Sequence, residues 1–117
     1  MSNQELKARS RRFSFEIKSF VRSIPKDFVT YNICQQLLRS SMSVGANTRA
    51  AFRGRSRKEF IAKLGIVIEE SDESAYWLDI LSDEKQVDLI ELRKLENEAI
   101  ALTKIFVSIK SKYNNQK

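Results

Sequence analysis

Residues 37–81 read LLRSSMSVGANTRAAFRGRSRKEFIAKLGIVIEESDESAYWLDIL, and this stretch decides the fold. Phe60, Leu64, Val67, Ser71, Ser74, Leu78 and Leu81 recur at spacings of four and three. That repeat places one face of a helix, predicted over 57–81, against a core. Ser56-Arg57-Lys58-Glu59 reads as a capping box at its start, with Ser56 accepting from the Glu59 backbone N–H and the Glu59 side chain reaching back. The preceding segment, up to about Arg53, is a second helix, and Gly54 fits a C′ stop. A connection this short obliges the two helices to pack antiparallel. Gly45 is a poor residue for a helix interior, by about 1 kcal/mol against Ala. Its small neighbours Ser41, Ser43, Ala46 and Ala50 suggest a close helix–helix approach as compensation.

Towards the N-terminus, Phe13, Ile17, Phe20 and Ile24 form one apolar stripe, widened by Phe15 and Val21. Arg11, Lys18 and Arg22 fall on another face. This predicts a first helix over 4–24, ended by Pro25, which disfavours helix at the residue before it. Val29, Ile33, Leu37 and Val44, broadened by Phe28, Leu38, Cys34 and Phe52, give the stripe of the second helix. Beyond the turn at 82–86, Leu92, Leu95, Ala99, Leu102, Phe106, Ile109 and Tyr113 predict a fourth helix over 87–113, with fraying from Asn114 to Lys117. The expected fold is all-α, an antiparallel up-down four-helix bundle forming a single domain over 1–117.

Composition agrees. Three Gly and one Pro in 117 residues are too few for the turns of an all-β protein. No apolar run approaches the 18 or so residues of a membrane span, and no apolar segment follows the charged N-terminus as in a signal peptide. The lone Cys34 reads as a small buried hydrophobe. A cytoplasmic protein is expected. Charge is uneven: residues 1–58 hold 13 Lys/Arg against 3 Asp/Glu, residues 59–83 hold 1 against 7, and residues 84–117 hold 7 against 5. A basic first half beside an acidic third helix suggests complementary surfaces, within one chain or between chains.

The chain has no His. That removes the commonest general base and the Glu-x-x-His motifs of di-metal bundles. Glu69, Glu70, Asp72 and Glu73 are consecutive enough to point in different directions, and no phosphate loop is present. Neither enzymatic activity, nor a metal, nor a cofactor, nor a small-molecule substrate is expected. Asn47 has two readings. As a structural residue it pairs across the bundle with Glu70 or Ser74; as a functional one it contacts a ligand. Arg49, Arg53, Arg55, Arg57 and Lys58 also have two. They are either a solvated helix end, where cations oppose the carbonyl dipole, or a nucleic-acid-binding edge. Aromatic residues for base stacking are few there, with Phe52 and Phe60 assigned to the core.

The run Gln36-Leu37-Leu38-Arg39-Ser40, then Ser43-Val44-Gly45-Ala46-Asn47, Arg55-Ser56, Phe60-Ile61-Ala62-Lys63-Leu64, Glu70, Asp72-Glu73 and Tyr76-Trp77-Leu78 resembles the four-helix-bundle family often called intervening-sequence proteins. These are encoded in insertions of bacterial large-subunit ribosomal RNA genes and elsewhere in bacterial genomes. Thr48 and Ala50 depart from the family, where an aromatic and a Glu are common. The resemblance implies an antiparallel bundle assembling as a ring, pentameric in some members, with no enzymatic activity. The fold is also similar to the accessory variability determinant of diversity-generating retroelements, which implies a basic barrel binding nucleic acid and a reverse transcriptase. Two functional expectations follow: a ring-forming homo-oligomer that binds structured RNA or DNA through its basic surface, held in part by basic-to-acidic contacts, or an adaptor docking an acidic protein.

Overall fold

The computed structural model describes residues 1–115. Four helices follow in order: α1 (Asn3–Ser23), α2 (Phe28–Ala51), α3 (Arg57–Leu81) and α4 (Leu89–Asn114). They form a rod of 50 × 20 × 20 Å. Each starts at a side-chain cap: Ser2 accepts from Glu5, Asp27 from Thr30, Ser56 from Glu59 and Asp88 from Glu91. Each bond satisfies a backbone N–H that has no partner inside the helix. The predicted α3 bounds hold, and Ser56 caps the helix, its Oγ 3.1 Å from the Glu59 nitrogen, but the Glu59 side chain does not return the expected bond to the Ser56 backbone N–H. α4 starts at Leu89 rather than 87 because Asp88 takes the cap position. Asn114 belongs to α4. Of the tail expected to fray, residues 116–117 lie outside the described residues.

Cross-bundle contacts set the topology. Ser40 meets Ser74 and Arg39 meets Glu73 between α2 and α3, where Phe52 also stacks near Phe60. Between α3 and α4, Ser71 meets Thr103 while Asp79 lies near Arg93. Numbers rise on one helix as they fall on its neighbour, so adjacent helices run antiparallel. α1 closes the bundle against α2 and α4. Arg9 grips Glu98 of α4 with two parallel bonds, at 2.8 and 2.7 Å. That bidentate geometry is stronger and more directional than an ordinary surface pair.

The core follows the predicted stripes of α1, α3 and α4: Phe13, Ile17, Leu64, Val67, Leu78, Leu81, Leu92, Leu102 and Phe106 are inaccessible, although Tyr113, the last residue of the α4 stripe, is exposed at the end of the rod. α2 departs from expectation. Val29 and Phe28 are exposed, at 57% and 82%. The buried side of α2 is instead Thr30, Cys34, Leu37, Ser40, Ser41, Val44, Thr48 and Ala51. Half of these are hydroxyl residues, and three return their hydrogen bonds to their own helix: Ser40 to Leu37, Ser41 to Leu38, Thr48 to Val44. A hydroxyl satisfied this way enters a core without the usual desolvation penalty of about 1–3 kcal/mol.

Gly45 behaves as expected. A Cβ there would lie 2.7 Å from the Ser14 Oγ of α1, so the missing side chain permits the α1–α2 approach. Gly54 does not form a left-handed stop, because no glycine among the described residues has positive φ. α2 ends at Ala51 and the turn is longer than predicted. The Gly54 N–H bonds to the Ala51 carbonyl, and a Cβ would sit 3.0 Å from that oxygen. Close approach, rather than backbone freedom, selects glycine there.

Candidate nucleic-acid interface

The α2–α3 turn caps one end of the rod over an aromatic lid. Phe60 lies 5.6 Å from Phe52 and 4.8 Å from Tyr113, centroid to centroid. This packing points the neighbouring cations outward. Arg49 in the last turn of α2, with Arg53 and Arg55 in the α2–α3 turn, lines a shallow groove of about 480 Å³. Ala46 and Ala50 of α2 and Glu59 and Lys63 of α3 complete its lining.

The five cations singled out from the sequence therefore divide. Arg49, Arg53 and Arg55 share the groove. Arg57 turns the other way and donates to the Tyr113 carbonyl at the C-terminal end of α4, where a cation opposes the helix dipole. Lys58 is exposed on the first turn of α3, outside the groove.

A second groove joins the first at Ala46 and Arg49 and runs between α1 and α2. Lys7, Arg11 and Lys18 supply its α1 wall, and Met42 and Gly45 part of its α2 side. Phe15, expected to widen the buried stripe, is 45% exposed here. The Arg11 guanidinium carbon lies 4.5 Å from its ring centroid and the Lys18 ammonium 4.4 Å. Helical spacing already placed Arg11 and Lys18 on one non-core face. Their juncture with Arg49 depends on the α1–α2 crossing, which spacing does not give.

What sets these cations apart is their gathering in two joined grooves, since few Lys and Arg among the described residues are ion-paired at all. Arg9, Arg39 and Arg93 each have a carboxylate within ion-pair distance: Glu98, Glu73, and Glu96 with Asp79. Among the described residues, none of the groove cations does. Their charge is left to solvent along two connected grooves.

Asn47 does not bridge the bundle. Its amide donates to the Ser43 carbonyl and hydroxyl, 3.0 and 2.8 Å away on its own helix, because position 47 lies on the half-exposed side of α2. Ser74, one of its expected partners, pairs with Ser40 at 2.9 Å. Glu70, the other, keeps one buried carboxylate oxygen without a hydrogen bond. Burial pushes its carboxyl above the ordinary value, and the nearby Glu73 adds to the shift. Among the described residues no group of His, Cys, Asp and Glu is placed to hold a metal ion, and no helix is long and apolar enough to cross a membrane.

A protein of unknown function from the S23 ribosomal protein family of Bacteroides thetaiotaomicron VPI-5482 has a similar crystal structure. Its TM-score is 0.84 at 29% identity, over 95% of this chain and 99% of that one. No curated protein matches the chain. The family model described as 23S rRNA-intervening sequence protein matches residues 2–108. With that match over nearly the whole bundle, the chain belongs to the 23S rRNA-intervening sequence protein family.

Proposed function

We propose that this protein is a non-enzymatic nucleic-acid-binding homo-oligomer whose connected basic grooves take the phosphates of structured RNA. One observation carries the reading. Lys7, Arg11, Lys18, Arg49, Arg53, Arg55 and Lys63 line two joined grooves with no carboxylate in ion-pair contact. Seven cations against the single carboxylate of Glu59 give the joined concavities a positive potential that attracts a polyanion. The family's description ties it to sequences intervening in 23S rRNA, so RNA is the first polyanion to test. A ring, pentameric as the sequence resemblance implies, would repeat the grooves and add weak contacts by multivalency.

Phosphate binding releases counterions, so log affinity should fall linearly with log salt, by about 0.7–0.9 per phosphate engaged. The test is RNA and DNA binding across salt for the wild type, for Arg53→Ala/Arg55→Ala, and for Arg57→Ala. The first variant is expected to shallow the slope by roughly one to two phosphates with an unchanged melting temperature. Arg57→Ala, whose side chain is engaged with α4, is expected to leave the slope as it was. Equal slopes in all three, or no binding at about 50 mM salt, would reject the reading and favour an adaptor docking an acidic protein.

A further inference from the structure

We infer that the α1–α2 groove accepts an unpaired base, so that the protein prefers single-stranded or looped nucleic acid to a continuous duplex. The inference rests on the phosphate-binding reading above and specifies its ligand. The groove, about 390 Å³, is large enough for a planar base but differs in chemistry from a simple phosphate track. Phe15 is 45% exposed and Met42 36%, and both face the same concavity as Lys7, Arg11, Lys18 and Arg49. Gly45 and Ala46 add no long side chain to the lining, so the groove stays unobstructed along α2 above the Ser14 contact.

A duplex presents phosphates and sugars to such a surface and keeps its bases stacked inside. The exposed ring and thioether would then gain nothing on binding. An unpaired base instead offers a π-face to Phe15 and an apolar edge to Met42, while its flanking phosphates meet the cations. The ring already attracts planar and cationic groups: the Arg11 guanidinium and Lys18 ammonium rest 4.5 and 4.4 Å from its centroid. Both sit on flexible stems, so an incoming base takes their place on the ring and they turn to the phosphates. Two cation–aromatic contacts are thereby exchanged for a stack and two ion pairs.

The experiment compares an unstructured oligonucleotide with a blunt duplex of equal length, at one fixed salt and across a salt series. Wild type, Phe15→Ala and Phe15→Trp are measured, with melting temperatures as the control for folding. The wild type is expected to favour the single strand. Phe15→Ala is expected to weaken single-strand binding about 5- to 150-fold, the effect of removing one base-stacking aromatic, without changing duplex affinity or the salt slope. Phe15→Trp is expected to restore the preference. Equal losses on both ligands, or no loss on either, would overturn the inference while leaving phosphate binding intact. Failure of the wild type to bind either ligand would overturn both.

Discussion

Glu70 shows how an isolated residue can depart from its sequence reading. The structural reading of Asn47 offers Glu70 or Ser74 as its partner across the bundle, but Asn47 is satisfied within α2 and one buried Glu70 oxygen has no hydrogen bond. Burial is the largest cause of its raised pKa, with Glu73 and Glu69 acting in the same direction and Arg39 and Ser43 against it. A carboxyl with a raised folded pKa binds its proton more tightly in the native state. Its ionisation therefore costs stability as pH rises through the unfolded value, about 4.3, and the cost is complete above the folded value. Glu70→Gln removes that cost. The variant is expected to melt at a higher temperature than wild type at pH 7, with the difference closing as pH falls towards 4. Melting curves across that range check it; a difference independent of pH would mean that packing, not charge, governs the position. Sequence could pick out Glu70 as polar and near the core. It could not show which hydroxyl or amide would reach it, because Asn47 had a nearer partner at i−4.

The elements were far more legible. Periodicity gave α1, α3 and α4 with the residues they bury, since a strict three-and-four spacing leaves one helix face for the core. α2 was misread at its start because periodicity counts apolar residues, whereas its buried face is rich in Ser and Thr bonded to their own carbonyls. Gly45 was the usable clue to that face. It marks where α2 meets α1, and the Ser14 hydroxyl there donates to the Ser41 carbonyl across the gap, at 2.7 Å. Gly45→Ala would gain about 1 kcal/mol of helix propensity. It would also bring a methyl to 2.7 Å from Ser14 Oγ, costing roughly 1–3 kcal/mol in overpacking and displacing that buried bond. A net loss of about 1 kcal/mol is expected. In a Ser14→Ala background the nearest side-chain atom is the Cβ at 3.6 Å, an ordinary contact. There the same change should be neutral or stabilising, so denaturant melts of the four proteins should give a non-additive cycle. Additive losses would place the cost of Gly45→Ala somewhere other than the α1–α2 crossing.

Across the whole molecule, charge and apolar surface are distributed unequally. The basic grooves occupy the α1–α2–α3 end of the rod. Ile66, Tyr76 and Ile80 on α3 and Ile100 and Val107 on α4 are exposed at 36–56%, away from those grooves. The surplus of apolar positions on α3 was visible in its sequence, but the contribution of α4 was not, because its buried seam masks it. Residues 59–83 also carry the acidic excess of 7 Asp/Glu against 1 Lys/Arg. Placing this flank against an unlike surface of a second copy makes a head-to-tail contact, and such contacts close into rings when the rotation permits. If the apolar side chains dominate, the assembly should survive about 1 M salt, where screening acts over roughly 3 Å, even though nucleic-acid binding is lost. If the basic grooves themselves formed the contact, salt would dissolve the ring and RNA would compete with it. We expect the first behaviour: light scattering at micromolar concentration should show one oligomer at low and high salt, and Ile66→Asp with Val107→Asp should shift it towards monomer without unfolding the bundle. A wild-type monomer would reject assembly altogether. An oligomer that dissociates with salt and ignores the two substitutions would move the interface onto the basic grooves, where a ring could not bind phosphates with the same side chains.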